Sequence, residues 1–238
     1  MVFGVFIETA AFLWYDFDIE KGSNGGVMDE KRDTKSFWNR YAKLYDFEIN
    51  RFNGRAYAEM YRLMANRLSP DMDVLEVATG TGLISINIAS CVRRVEATDF
   101  SPKMIEKSKK KKALGNVHFS VEDATALSFD EGSFDAVIIS NALHIMPEPV
   151  MVLSEISRVL KPNGLLIAPT YSHGHLKEST WNLNAKILKL IGFETYSKWT
   201  PGEYVDFIGQ NGFKVERWQV LSAAFPLVYL EARKEPGI

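Results

Sequence analysis

Along the 238-residue chain the hydrophobic rhythm changes several times. From Thr34 onward Phe37, Tyr41, Leu44 and Tyr45 recur at three- and four-residue spacing, which predicts a helix. Tyr57, Met60, Tyr61, Met64 and Leu68 repeat that spacing over a second helix, 54–68, which Ser69-Pro70 ends. Short apolar runs then alternate with amphipathic stretches. Strands are predicted at 74–78, 95–98, 117–121 and 134–140, and helices at 83–91, 102–114 and 149–160. Strand and helix alternating at this spacing imply right-handed crossovers and a parallel sheet covered on both faces. Near the end the rhythm breaks. A strand at 165–169 is followed by helices at 176–191 and 201–211, then by strands at 213–220 and 225–233. Only Leu221 to Ala224 joins the last two, and so short a connection permits only antiparallel pairing. The expectation is an α/β fold with a mostly parallel sheet of seven strands and one antiparallel strand inserted near an edge.

Composition narrows the class. With 46% hydrophobic, 12% aromatic and 24% charged residues the chain is an ordinary globular one, long enough for one large domain with an elaboration. No apolar run reaches the roughly 18 residues of a membrane span. The nearest, Met1 to Tyr15, has no basic start, contains Glu8 and runs into Asp16, Asp18 and Glu20, so no signal peptide is expected. Lys21 to Gly26 is flexible by composition, and Met28 opens a charged stretch directly after it. Residues 1–33 therefore read as a flexible N-terminal appendage, of which 1–27 could be an upstream start. Residues 34–238 read as one domain with a lid-like insertion at about 171–200. The appendage holds three basic and seven acidic residues, a net of −4, so the overall −2 leaves the body at +2. Such a balance offers no global basic field for nucleic acid or an anionic membrane. Cys91 is the only cysteine. It excludes internal disulfides and a cysteine-rich zinc site, fits a reducing cytoplasm, and reads as core on an apolar helix. The run Lys107, Lys109, Lys110, Lys111 and Lys112 reads as the solvated C-terminal end of a helix.

Candidate chemistry centres on Val74-Leu-Glu-Val-Ala-Thr-Gly-Thr-Gly82. Here an apolar strand enters a turn where Gly80 and Gly82 lack Cβ atoms, so a ligand can lie against backbone at a helix start. A dinucleotide loop would carry a third glycine where Ser85 stands, which disfavours a pyrophosphate. Asp99 ends the next strand about twenty residues on, where a carboxylate can accept both ribose hydroxyls. Asp123 ends the third strand, within reach of an adenine amino group. Turn formation is the competing reading: the glycines as a tight strand-to-helix turn, Asp99 as a cap for the helix after Ser101-Pro102, and Asp123 as a cap for residues 124–127.

With these motifs in order, the sequence resembles the class I S-adenosylmethionine-dependent methyltransferases, in their small-molecule branch, from about Phe37 to Arg233. The carriers are VLEVATGTG, VEATDFSPKMIEKSK, VEDATAL, SFDAVIISNALHIMPEP and LKPNGLLI. Ala78-Thr79 departs from the glycine-plus-small pair more usual there, and a slightly shifted loop is expected. The resemblance implies a Rossmann-like, doubly wound sheet with helices on both faces, and S-adenosylmethionine as cofactor. It implies cofactor contacts from Glu76, Ala78, Thr79, Gly80, Thr81, Gly82, Asp99, Phe100, Asp123, Ala124 and Asn141. His144, on the loop after the fourth strand, is a candidate base for the acceptor's proton, or a packed loop residue. Tyr41, Tyr45, His173 and Trp181 are candidates for the acceptor pocket. His173 and His175 lack a third ligand, so no metal is expected. The implied reaction is in-line methyl transfer to a small apolar, aromatic or lipid-like acceptor. An NAD-dependent oxidoreductase and a non-catalytic adenosyl-binding protein are the rival readings. The sequence is silent on the acceptor's identity and on oligomeric state.

Overall fold

A computed structural model describes residues 36–39, 42, 46, 53–172, 195–223 and 226–235. The appendage, Tyr41, Tyr45 and the expected helix 176–191 lie outside them. The elements run α1 (Gly54–Ala65), β1 (Asp73–Val77), α2 (Leu83–Ile88), β2 (Arg94–Asp99), α3 (Pro102–Lys109), β3 (Val117–Val121), β4 (Phe134–Ile139), α4 (Pro149–Val159), β5 (Leu160–Ile167), β6 (Thr170–Tyr171), α5 (Pro201–Gln210), β7 (Phe213–Leu221) and β8 (Leu227–Lys234).

Helix starts follow local chemistry. The Ser101 hydroxyl accepts from Met104 N–H and Pro102 takes the first turn of α3, where a missing N–H costs nothing. Thr200 and Glu203 form a reciprocal capping box on α5, with Pro201 after the cap. The α3 helix stops at Lys109, short of the expected Leu114. Lys110 and Lys111 close it with N–H bonds to the carbonyls three residues back, at Lys107 and Ser108. Four successive lysines from Lys109 offer no apolar position that would repay continuing the helix.

The sheet is mostly parallel: β1 pairs with β2 and β4, β2 with β3, and β4 with β5. The expected antiparallel strand is β8, which lies between β5 and β7. Eight strands stand where seven are expected, and the register explains the extra one. Both β5 and β6 pair with the same edge of β8, through Ile167↔Glu231 and Thr170↔Val228. They are one ribbon interrupted at Ala168-Pro169, since proline cannot donate to a ladder.

Strand alternation divides the core. Leu75, Val77, Val137, Ile139, Leu166 and Leu230 face one side, beneath Leu153 and Ile156 of α4 and Tyr204 and Ile208 of α5. Val74, Ala136, Ile138, Leu165 and Tyr229 face the other, beneath Met60 and Met64 of α1 and Ile84 and Ile88 of α2. At roughly 1.5–3 kcal/mol per fully buried large apolar side chain, these two layers dominate the stability of the domain. They also hold the carboxyl ends of β1 to β4 side by side, where ligands of open α/β sheets bind.

Candidate functional site

Glu76 lies on the same face of β1 as Val74, so it points under α2 and is only 1% exposed. Its Oε2 accepts from Thr79 Oγ1 at 2.6 Å, from Ser85 N–H at 2.9 Å and from the Ser85 hydroxyl. Burial raises its carboxyl to about 7 even though these donors pull the other way, and the charge of Asp99 adds to the rise. Ser85, which displaces the dinucleotide glycine, is thus the partner of a buried acid.

The loop after β1 is left-handed at Ala78 (φ 56°), Gly80 (φ 57°) and Gly82 (φ 77°). At Ala78, where a shifted loop is expected, the alanine itself adopts the glycine-like conformation, a strain of about 1–2 kcal/mol for an L-residue. Gly82 is required by packing as well as by φ: a Cβ there would stand 2.7 Å from Phe119 Cε1 and 3.2 Å from Ser108 Cβ. Thr79 N–H bonds to Thr98 O at 2.8 Å, which ties the loop to β2.

Asp99 completes that tie. Oδ2 accepts from Gly80 N–H and Oδ1 from Ser101 N–H, each at 2.8 Å. It keeps some solvent contact, yet lost hydration pushes its carboxyl up to about 6 against the pull of the two amides. Phe100 is exposed beside it. Asp123 Oδ1 accepts from Thr125 N–H at 2.9 Å and from Thr125 Oγ1 at 2.6 Å, so the turn role left open for this residue is present in the structure. The partly buried Ala124 packs on the core at that turn.

After β4, Asn141 takes φ 54°, a conformation its short polar side chain tolerates. Its N–H bonds to Pro169 O at 2.8 Å and its Nδ2 donates to the Tyr57 hydroxyl at 3.1 Å. Among the described residues no donor meets its buried Oδ1. His144 follows on a 3₁₀ turn (Leu143–Ile145), 7% exposed, with Nδ1 2.9 Å from Thr170 Oγ1 and the Tyr171 ring edge-on at 6.5 Å. Its carbonyl accepts from Tyr196 and Ser197 N–H at 3.0 and 3.1 Å. Tyr41, Tyr45, His173 and Trp181 lie outside the described residues. No group of three or more potential metal ligands occurs among those described.

The lysine run needs correction. Lys109, Lys110 and Lys112 are exposed, but Lys107 and Lys111 turn inward. Lys111 Nζ donates to Asp46 Oδ1 and to Thr81 Oγ1, both at 2.9 Å, and Lys107 Nζ lies 3.2 Å from Asp46 Oδ2. The Thr81 hydroxyl itself bonds Asp46. Asp46, Lys107, Lys111, Ser85, Thr170 and Tyr57 do not stand out in the sequence as site residues, because each acts through a partner in another element.

Residues 74–164 match the family of methyltransferase domains. A demethylmenaquinone methyltransferase of Renibacterium salmoninarum is 42% identical over 104 residues, 44% of this chain and 43% of that protein. A Staphylococcus aureus protein of the same name is 35% identical over 136 residues, 53% and 55% of the two chains. The chain thus spans about half the length of these relatives. Among solved structures, an S-adenosylmethionine-dependent methyltransferase of Thermotoga maritima superposes with a TM-score of 0.65 at 20% identity, covering 84% of this chain and 99% of that one. One from Aquifex aeolicus gives 0.62 at 18% identity, with 82% and 98% covered. The fold is that of Rossmann-like methyltransferases, and residues 74–164 within it match a methyltransferase domain. The sequence match to the methyltransferase domain ends within β5, while the likeness in fold covers most of the chain. In this methyltransferase fold the glycine loop, Asp99, Asp123 and Asn141 occupy four successive strand ends along one edge of the sheet.

Proposed function

We propose that the strand-end cleft binds S-adenosylmethionine and that the protein transfers its methyl group to a small apolar or aromatic acceptor. The observation that carries the cofactor reading is the pair of carboxyls at the loop. Glu76 Oε2 accepts from Ser85 N–H and Asp99 Oδ2 from Gly80 N–H, at the ends of adjacent strands. Lys107 and Lys111 beside the loop pair with Asp46. A cationic sulfonium compound favours the ionised form of both carboxyls. A pyrophosphate finds no free Ser85 N–H in the first turn of α2, because that amide is already bonded to Glu76. This disfavours the NAD-dependent reading.

The residues fit such a donor by class. The loop 78–82 offers backbone close to the ligand, Asp99 an acceptor for ribose hydroxyls, Asp123 and Ala124 a rim for the base, and Asn141 Oδ1 a buried acceptor for a donor N–H. Once bound, the donor supplies an electrophilic methyl. The acceptor's nucleophilic lone pair forms the new bond to that methyl as the carbon–sulfur bond breaks. The electron pair stays on sulfur, S-adenosylhomocysteine leaves, and the acceptor's proton passes to solvent or a base. The chain's part is alignment and exclusion of water, which can lower the barrier by several kcal/mol without an obligatory acid or base. His144 is placed to hold the loop after β4, with Thr170 and residues 196–197 as its partners.

The names of the matched relatives support a demethylated quinone as acceptor. No helix among the described residues is long and apolar enough to cross a membrane, and the single unpaired Cys91 supports a cytoplasmic setting. Methyl-labelled donor incubated with purified protein and a demethylmenaquinone, an amine and a phospholipid headgroup tests the acceptor. Label in the quinone alone supports this reading. Label in the amine or headgroup, with none in the quinone, overturns it.

A further inference from the structure

The chain leaving the carboxyl end of β4 is held by two other elements. Asn141 N–H donates to Pro169 O at 2.8 Å, at the interruption between β5 and β6. Its side chain reaches α1, where Nδ2 donates to the Tyr57 hydroxyl at 3.1 Å. One residue earlier the Ser140 hydroxyl lies 3.9 Å from Met60 Sδ on the same helix. Tyr57 and Met60 are both buried, and the Tyr57 ring stands edge-on to Tyr61 with the ring centres 6.0 Å apart. Packing therefore fixes the phenol, and the Asn141 amide adjusts to it.

A fixed amide has a chemical consequence, because an asparagine side chain donates at one end and accepts at the other. With Nδ2 on Tyr57 the accepting end is Oδ1, which is buried and meets no donor among the described residues. A buried acceptor without a partner is costly, and a ligand N–H that reaches it gains accordingly. Turned through half a rotation, the amide would leave two N–H groups there, and these cannot accept from an ammonium. Asp123, Asp99, the glycine loop and Asn141 follow β3, β2, β1 and β4, which are neighbours in that order. A methyl donor laid with its base at Asp123 and its ribose at Asp99 brings its other end, with the α-ammonium, to β1 and β4.

We propose that Tyr57 is a positioning residue: by accepting from Asn141 Nδ2 it holds Oδ1 ready for the α-ammonium of the methyl donor, and so selects a cofactor with an amino-acid end over a bare thionucleoside. The inference rests on the cofactor reading above. It places no contact between Tyr57 and the cofactor.

Calorimetry of the full chain with S-adenosylhomocysteine and with 5′-methylthioadenosine tests it, since the second ligand keeps the base, ribose and sulfur of the first and lacks the amino-acid end. Tyr57→Phe keeps the ring and its packing. It should weaken S-adenosylhomocysteine on the order of tenfold and leave methylthioadenosine within about twofold. A role in packing alone would move both ligands together or neither. In an Asn141→Gly background, where glycine accepts the left-handed φ, Tyr57→Phe should weaken S-adenosylhomocysteine little further, because both substitutions remove one contact. That cycle needs S-adenosylhomocysteine alone, so it decides even where methylthioadenosine binds too weakly to measure. An equal change in both ligands, no change in either, or losses that simply add in the double variant, with wild-type binding intact, overturn the role of Tyr57 alone. A wild-type chain that does not bind S-adenosylhomocysteine overturns the cofactor reading and this inference with it.

Discussion

Glu76 Oε2 accepts the backbone N–H of Ser85 at 2.9 Å, so the acid that ends β1 occupies the first turn of α2 from beneath. One contact fixes the strand-to-helix turn and removes an amide that a phosphate would need.

The same contact sets a pH dependence. The folded carboxyl, at about 7, holds its proton above the unfolded value of 4.5. Between those values the folded state binds more protons, so this group's stabilisation is complete below about 4.5, is lost as pH rises to about 7, and is constant beyond. Two to three pKa units correspond to about 3 kcal/mol. Urea titrations of wild type and Glu76→Gln from pH 4.5 to 8 should diverge in that direction. Curves that stay parallel would show that Glu76 ionises normally in the fold.

Ala78 carries a strain that glycine would not. Ala78→Gly should stabilise the domain by about 0.5–1 kcal/mol, the left-handed penalty less the entropy glycine loses on folding. Urea midpoints measure it, and a loss of stability would mean that the Ala78 methyl packs better than its φ suggests.

Gly82 should tolerate nothing larger. Gly82→Ala adds the left-handed penalty to a collision with Phe119, together about 2–4 kcal/mol. Thermal unfolding should show the loss, and a Gly82→Ala, Phe119→Ala pair should recover part of it. No recovery would place the cost in the backbone alone.

His144→Gln should lower kcat less than tenfold and leave the pH profile of kcat in place, because the imidazole is buried against Thr170 and serves the loop. A general base would cost about a hundredfold or more. Such a loss, together with disappearance of an ionisation limb near neutrality, would make His144 the base.

The centre of the sheet was legible because β1, β4 and most of β8 are buried on both faces and read as apolar runs, and the short link after Leu221 forced β8 to run antiparallel. The seven-strand expectation missed only the Ala168-Pro169 interruption that separates β6 from β5. Glu76, Asp99 and the glycine loop stand out in the sequence as local motifs, and the structure brings them together at the ends of β1 and β2. Ser85 was read for the glycine it lacks, since nothing local shows that its hydroxyl and amide serve an acid nine residues back. Asp46 and Lys111 are 65 residues apart. Lys111 stands in a lysine run whose spacing resembles any solvated helix end, so only the fold separates it from its exposed neighbours.

Calorimetric titration of the wild-type chain with S-adenosylhomocysteine and, separately, with NADH tests the central claim most directly. Saturable one-to-one binding of S-adenosylhomocysteine, sharply weakened by Asp99→Ala, with no heat from NADH, is the expected result. NADH binding without S-adenosylhomocysteine binding would contradict the methyl-donor site at the ends of β1 and β2.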